Sequence, residues 1–502
     1  MFTNSVCALS ISSIALGIAG ALITYVVGSL LYNIFFHPLR KFPGPRLAAA
    51  SVLPCFWYLL KGSQVRWVHS LHEKYGPVVR VGPDELSYAD GRAWKDINGH
   101  RTGGKASFHK DLRHYAPDSP LHPGVKNMIQ NNDEDHARVR RIFSNAFSDQ
   151  ALKKQELLFL EYVDLFRDKI GEKGSAKFDL VWMLNCTTFD IMGDLTFGEP
   201  LGLLQGSKYI GWVKIIFKNI KSAAFTRIAV YYPILKPLVK WTMATDLQKT
   251  RSTHLKHSFD RVDRRLEKES AKPDIWALTE REDADGKPVL SVPEMHMNSN
   301  LFMLAGTETT ATLLSGLNYF LLKNPAKMDI LVREIRGNFT SDDDMSLERL
   351  VQLKYLNACL EEALRMYPPV PVGLGRIVPA DGAMIGDQWV PGGATVSVAQ
   401  YATYHSATNF RLPDTFIPER WFDPAFDTDF KAAMQAFSYG PRNCLGKNLA
   451  YHEMRLIEAK LLFNFDLHLE KESENWADQD TYILWEKHPL MVTASQAIKK
   501  AE

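Results

Sequence analysis

Near its C-terminal end the chain reads FSYGPRNCLG, Phe437 to Gly446, and no other stretch restricts the fold as strongly. Only five cysteines occur, at Cys7, Cys55, Cys186, Cys359 and Cys444, odd in number and without a C-x-x-C pair. Neither a disulfide framework nor a sulfur-rich zinc site fits that spacing, and a reducing compartment is the simpler setting. A cysteine that merely fills a core needs no special neighbours. Gly440 and Gly446, by contrast, permit a tight loop that aims backbone N–H groups at sulfur, and an apolar helix starts just after. Arg442 brings a positive charge suited to a ligand carboxylate, and Phe437 is placed to pack under the loop and exclude water. These surroundings suit a thiolate held as a ligand. A buried structural cysteine is the plainer alternative.

The other end of the chain is as distinctive. The first charged side chain is Arg40, and Val6 to Phe36 is almost wholly apolar or small. That run exceeds the roughly 20 residues a helix needs to cross a bilayer. A cleaved signal peptide would carry a basic start and a shorter apolar core, so residues 1–37 are expected to form an uncleaved membrane anchor. Arg40, Lys41 and Arg46 follow the span and nothing charged precedes it, which places the bulk of the chain in the cytosol. KFPGP, Lys41 to Pro45, cannot continue a helix and reads as a stiff hinge into one domain over residues 38–502. The glycosylation patterns at Asn185 and Asn338 would then stay unused.

Between these ends, 59 Lys+Arg against 57 Asp+Glu leave a formal charge of +2, too weak a field to point to nucleic acid. Pro77 to Asp90 suggests two short strands around a Gly-Pro-Asp turn, and Asp133 to Ser148 a helix with acids first and arginines later. Ser291 to Glu294 is a capping box that opens a long helix to about Lys323, where Asn324-Pro325 stops it. Short β-prone pieces fill Gly373 to Gln400, and the last helix runs from just after Cys444 to about Phe463. The fold class is mainly α with minor β-sheets. The charged run Asp260 to Glu269 reads as a solvated helix face, and Ile228 to Leu235 as core or a membrane-dipping lip.

Three weaker patterns precede the cysteine loop. AGTETT, Ala305 to Thr310, sets a glycine and four polar residues inside the long apolar helix, where glycine costs about 1 kcal/mol relative to alanine. A polar patch facing solvent is the ordinary explanation. Glu362 and Arg365 stand at i,i+3 on a helix, a spacing that usually yields a surface ion pair. PERW, Pro418 to Trp421, supplies Arg420, and His136 and Arg140 lie at i,i+4 on one helical face.

Taken in order, anchor, Pro-Gly hinge, central helix, E-x-x-R, P-E-R-W and F-x-x-G-x-R-x-C-x-G cover nearly the whole chain and resemble the cytochromes P-450. The resemblance implies the P-450 fold behind a single N-terminal transmembrane helix, with haem b as cofactor and Cys444 as the axial ligand of its iron. A thiolate pushes electron density onto iron and favours O–O cleavage. Phe437, Gly440, Arg442 and Gly446 become haem-loop residues, and His136, Arg140 and Arg376 candidates for the propionates. Many members carry tryptophan where His136 stands. Glu308 and Thr309 become an acid and alcohol pair that relays protons, next to a small-residue pair that makes room for O2. Glu362, Arg365 and Arg420 become a structural network behind the haem.

By the same resemblance the activity is that of a monooxygenase, which puts one oxygen atom of O2 into a lipophilic small molecule. No flavin module and no G-x-G-x-x-G after a strand are found, so electrons are expected from NADPH through a separate flavoprotein reductase, docked near Arg442 and Lys447. The substrate pocket is expected from the loop at about 101–127, Leu301, Ala305, Val370, Val372, Leu374 and the tail near Tyr482 to Leu484. FHPLRKFPGP and DIMGDLTFG give the chain the texture of fungal microsomal members in the endoplasmic reticulum that tailor secondary metabolites, terpenoid or polyketide, trichothecene-type hydroxylases among them. Two alternatives stay open: a haem-thiolate isomerase or dehydratase, against which Thr309 and Glu308 argue, and a non-catalytic lipid-binding protein on the same fold.

Overall fold

Ser12 to Phe35 has a mean hydropathy of 2.1 and no part of it is buried against the rest of the protein. In the computed structural model, which describes residues 11–101, 103–104, 106–115, 119, 121–206, 227–232, 237, 245–267, 274–278 and 289–497, this run is helix α1 (Ile11–Phe35). Its side chains are apolar all round, so water offers it no favourable face. The Pro-Gly hinge that follows lies against the first strand, with the Arg80 N–H donating to the Pro43 carbonyl at 2.7 Å. A Cβ on Gly44 would stand 2.4 Å from the Arg80 carbonyl oxygen, which is why glycine occupies that position. Arg80 also donates to the Asn33 carbonyl at 3.0 Å, tying the end of α1 to the domain.

A five-stranded sheet comes next. Strands β1 (Val78–Gly82) and β2 (Glu85–Tyr88) pair antiparallel around the expected turn. Strand β3 (His109–Lys110) sits at the far edge, and the order is completed by β4 (Arg376–Ile377) and β5 (Thr395–Val398) as β1-β2-β5-β4-β3. The β2–β5 pair is parallel, and Lys110 faces Arg376 across the β3–β4 pair.

The helical part builds around two long elements. Helix α2 (Asp133–Ser144) opens on the Asn132 side chain, which accepts from the Asp135 N–H, and carries three acids in its first turn. Helix α3 (Leu180–Phe197) is buried on nearly every side. It packs along α5 (Val292–Lys323), which starts at the reciprocal Ser291–Glu294 capping box. A Cβ on Gly306 would meet the Met192 sulfur at 2.6 Å, so the glycine admits α3 rather than an open space. Helix α4 (Thr245–Leu266) lies across both.

The described part of the charged run, Asp260 to Leu266 and Glu267, is not a purely solvated face. Val262 is fully buried and Arg265 pairs with Asp274 inside the protein, while Arg261 and Arg264 share Glu199. Helix α4 turns this side onto α3 and α5, and the paired acids offset the burial of its arginines. Residues 268–269 lie outside the described residues. Of Ile228 to Leu235, residues 233–235 lie outside them as well. Tyr231 and Tyr232 set their rings edge-on to Phe56 at 5.2 and 6.2 Å, beside exposed Leu53, Trp57 and Val230. Asn185 is buried on α3, so its glycosylation pattern is closed to modification in the folded chain.

Two further helices complete the frame: α6 (Lys354–Met366) and α7 (Lys447–Asn464). A C-terminal antiparallel sheet, Phe465–Leu469 against Met491–Gln496, had no forecast in the sequence.

Candidate functional site

The cysteine loop is built as a tight turn just ahead of α7. Gly440 has φ +76°, and a Cβ there would lie 1.9 Å from the Asn98 carbonyl oxygen, so no other residue fits. Gly446 departs from expectation: it caps α7 with φ −86° and has only Phe147 nearby, at 3.9 Å. Its use is its amide, which donates to the Cys444 sulfur. The Cys444 N–H donates to the Phe437 carbonyl at 2.8 Å, closing the loop. The Phe437 ring packs against Tyr451, centroids 5.2 Å apart.

Cys444 is open to a solvent-sized probe, whereas Cys55, Cys186 and Cys359 are buried. Desolvation nonetheless pushes its thiol pKa up, against the opposing Gly446 amide, Arg140 and Lys447. A sulfur both accessible and desolvated faces an internal hollow, not the bulk. The charges acting on it are Arg140 and Lys447, and not Arg442 as its position in the loop suggested. Arg442 instead pairs with Asp133 at 2.6 Å and donates to the Asn131 carbonyl at 2.9 Å. Burial outweighs these charges, and a metal bound at the sulfur would remove the thiol's proton outright.

The propionate candidates separate into two roles. Arg140 donates to the carbonyl and side-chain oxygens of Asn443, both at 2.6 Å, and so fixes the residue next to Cys444. His136, Arg376 and Arg442 cluster, joined by Lys110, which the sequence reading missed. Lys110 donates to the Ile129 carbonyl at 2.9 Å, and burial pushes its pKa well down, with Arg376 and Arg442 adding to the effect. Burial, then Arg442, Lys110 and Arg140, take His136 down to about 4, so it is neutral at pH 7. The Nε of Arg376 and an Nη of Arg442 are buried without acceptors among the described residues. Arg376 and Arg442, each with an orphaned donor, beside Lys110 and Asp133, fit a ligand bearing two carboxylates. Iron protoporphyrin IX is such a ligand.

Helix α5 leaves Leu301, Ala305 and Thr309, at i, i+4 and i+8, each partly accessible while Met303, Thr307, Glu308 and Thr310 are buried. The Thr309 hydroxyl donates to the Ala305 carbonyl at 2.6 Å. Glu308 does not bond to Thr309. One step along the helix, it turns into the protein and pairs with Lys487, which also donates to Thr312 at 2.6 Å. Thr312 reaches the same carboxylate oxygen at 3.4 Å, and the other oxygen is buried with no partner. Lys487 and Thr312 carried no signal in the sequence, since a buried lysine in a C-terminal loop reads like an exposed one.

Glu362, Arg365 and Arg420 meet with no solvent exposure at all. Glu362 accepts from Arg365 at 3.0 and 2.8 Å, Arg420 at 3.3 Å, the Ile417 N–H at 3.0 Å and the Trp421 indole at 3.1 Å. Arg365 spends its other donors on the Tyr404, Pro413 and Thr415 carbonyls, and Arg420 adds Asp429. A fully satisfied network of this kind is a scaffold. It joins α6 to the chain leading into the cysteine loop.

Of the remaining substrate-pocket candidates, Val372 and Leu374 line a cavity together with Ile483, whereas Val370 is not on that wall. The loop at 101–127 contributes Arg113, His114 and Tyr115 to it, and residues 102, 105, 116–118 and 120 lie outside the described residues.

The family profile described as "Cytochrome P450" matches residues 45–494. Among curated proteins, "Cytochrome P450 monooxygenase efuB" of Hormonema carpetanum is 48% identical over 95% of this chain and 95% of its own length. "Cytochrome P450 monooxygenase FUM2" of Gibberella moniliformis is 47% identical, covering 93% of this chain and all of its own. "Cytochrome P450 monooxygenase astJ" of Aspergillus oryzae is 43% identical over 92% and 93%.

Proposed function

Because this chain belongs to the cytochrome P450 family, a family of haem-thiolate monooxygenases, we propose that it oxidises a lipophilic small molecule, terpenoid or polyketide, in fungal secondary metabolism. The observation that carries this reading is the accessible Cys444 sulfur in its tight glycine loop, with the cluster of Arg442, Arg376 and Lys110 that this loop joins. When bound, the haem supplies the O–O cleavage and oxygen insertion that the thiolate promotes.

In this reading the Cys444 sulfur would hold the haem iron, and it is itself held by the Gly446 amide and by the Arg140–Asn443 clamp. His136, Arg376, Arg442 and Lys110 hold the propionates, and neutral His136 keeps one N–H to donate. Phe437 and Gly440 shape the loop, and Glu362, Arg365 and Arg420 fix its approach. The Thr309 hydroxyl donates to the Ala305 carbonyl, so it can accept a hydrogen bond where it stands and passes a proton on only by leaving that carbonyl. Glu308 is the reserve behind it, reached only when its carboxylate leaves Lys487. Leu301 and Ala305 exclude water from the reacting centre, and Val372 and Leu374 orient substrate.

Residues 1–37 act as the membrane anchor and 38–502 as the catalytic domain, cytosolic at the endoplasmic reticulum. The uncharged helix α1 and the exposed Leu47, Leu53, Trp57 and Val230 beyond it support that reading. Electrons come from NADPH through a flavoprotein reductase that docks on the exposed side of α7 near Lys447. Lys447→Glu slows reduction of the haem if docking uses that face, and an unchanged rate refutes it. The function is tested with the full chain in membranes holding such a reductase and isotopically heavy O2. Products of candidate terpenoids or polyketides carry one heavy oxygen atom, with matching NADPH consumption. A product carrying unlabelled oxygen, or formed without NADPH, refutes the monooxygenase reading.

A further inference from the structure

Lys487 belongs to a surface stretch but turns its ammonium inward. Its neighbours Glu486, His488 and Pro489 are exposed, whereas its own side chain is 3% exposed and that of Glu308 2%. The backbone on both sides is pinned. The Glu486 N–H donates to the Asp480 carbonyl at 2.8 Å, the His488 carbonyl accepts from the Trp476 indole at 2.8 Å, and the Leu490 N–H donates to Asp179 at 3.0 Å. Withdrawing the ammonium by moving the whole stretch would break all three bonds.

On α5 the ammonium faces Glu308 and Thr312 and donates to both, to the Thr312 hydroxyl at 2.6 Å. Asp179, just ahead of α3, is a second negative charge acting on it. Tyr367, just after α6, feels the Glu308 charge as well, but burial pushes its pKa well above 10 and it stays neutral. One carboxylate oxygen of Glu308 takes the ammonium and the Thr312 hydroxyl, and the other is buried with no partner among the described residues. An acid that is to carry a proton to Thr309 therefore starts as an anion held by a cation. Pulling the two apart as ions leaves both charges away from water. Moving one proton from Nζ to Oε1 removes both charges together, and a neutral acid beside a neutral amine is free to turn. Burial lowers the Lys487 pKa against the opposing pull of Glu308 and Asp179, which is the direction such a transfer needs.

We propose that Lys487 is the immediate source of the proton that Glu308 passes toward Thr309. The inference rests on the reading of Glu308 and Thr309 as the relay. One N–H bond of the ammonium breaks and one O–H bond forms on Glu308, leaving an amine and a carboxylic acid with no electron gained or lost. Glu308 turns, hands the proton to the Thr309 hydroxyl and returns as an anion, while the amine takes its replacement from water at the exposed Glu486–Pro489 stretch. Lys487 acts through Glu308, as a positioning residue that also supplies the proton. Arginine in its place keeps the cation but not the supply, because a guanidinium does not deprotonate in proteins.

The test uses the haem-loaded full chain in membranes with the reductase, NADPH and O2, and no added substrate. NADPH consumed in excess of hydrogen peroxide released measures O2 reduced to water, the branch that needs relayed protons. Lys487→Arg lowers this water branch about ten-fold or more, at the low side of general-acid effects, while its carbon monoxide spectrum and denaturant midpoint stay close to wild type. Lys487→Ala loses the branch too. Methylammonium restores it there, and tetramethylammonium, which has no proton to give, does not. If arginine misfolds, this pair of amines decides. A water branch that survives Lys487→Arg, rescue by tetramethylammonium or by neither amine, or a wild type with thiolate haem and no water branch overturns the proposal. Thr309→Ala separates the failures: loss of the branch there but not in Lys487→Arg removes Lys487 alone, and retention in both removes the relay reading beneath it.

Discussion

Lys487→Met deletes the cation that faces Glu308 in a site where both side chains are almost fully buried. The carboxylate then keeps the weak 3.4 Å contact with Thr312 and no charge partner, and its second oxygen is already orphaned. Breaking a buried ion pair from one side costs about 3–5 kcal/mol, because the remaining charge stays desolvated. Glu308→Gln alone exposes the mirror problem, an ammonium held away from water; burial already pushes the Lys487 pKa down despite its acid partner. The double change Lys487→Met with Glu308→Gln leaves no buried charge, so it costs less than either single change. The assay is the denaturant midpoint of the haem-loaded protein for all four members of the cycle. If the double variant loses the sum of the two single losses, the pair is not coupled and the account of Glu308 as an anion locked away from Thr309 is wrong.

Other expectations follow from single positions. Gly440→Ala places a methyl 1.9 Å from the Asn98 carbonyl at a φ of +76°, so the loop must shift and thiolate haem is lost while secondary structure by circular dichroism persists. Normal haem content in that variant would contradict the loop geometry. Burial raises the carboxyls of Glu453 and Glu458 on α7 to about 8, well above the unfolded value. Their contribution to stability is therefore fully present below the unfolded value and is lost as pH rises through about 8. Glu453→Gln with Glu458→Gln flattens the fall in denaturant midpoint between about pH 5 and 8, and an unchanged slope refutes the assignment.

What the sequence made legible was whatever depends on local chemistry. The Ser291–Glu294 box, the Gly-Pro-Asp hairpin at β1–β2, the stop at Asn324-Pro325 and the start of α7 after Cys444 all rest on backbone rules that act within a few residues. The joining of Glu362, Arg365 and Arg420 came from a family pattern, and the structure shows why weak spacing sufficed: Glu362 gathers five donors from two stretches, α6 and Ile417–Trp421. Lys110, Lys487 and Asp429 were not legible, because burial of a charged side chain depends on partners far along the chain. Arg140 and Arg442 were both read toward a ligand carboxylate, and their partners within the protein carried no signal. Sequence distance put Arg442 beside the sulfur, but the fold turns it onto Asp133 and brings Arg140 from α2 to the loop instead. Gly306 illustrates the same limit, since only the packing of α3 explains why Met192 needs its missing side chain.

The central claim is that Cys444 ligates haem iron. It is tested most directly by the carbon monoxide difference spectrum of the reduced, membrane-expressed protein beside Cys444→Ser. The account predicts the strongly red-shifted Soret band of a thiolate-ligated haem in wild type and its loss in the serine variant. A folded wild-type protein without that band, or a serine variant that keeps it, would contradict the account.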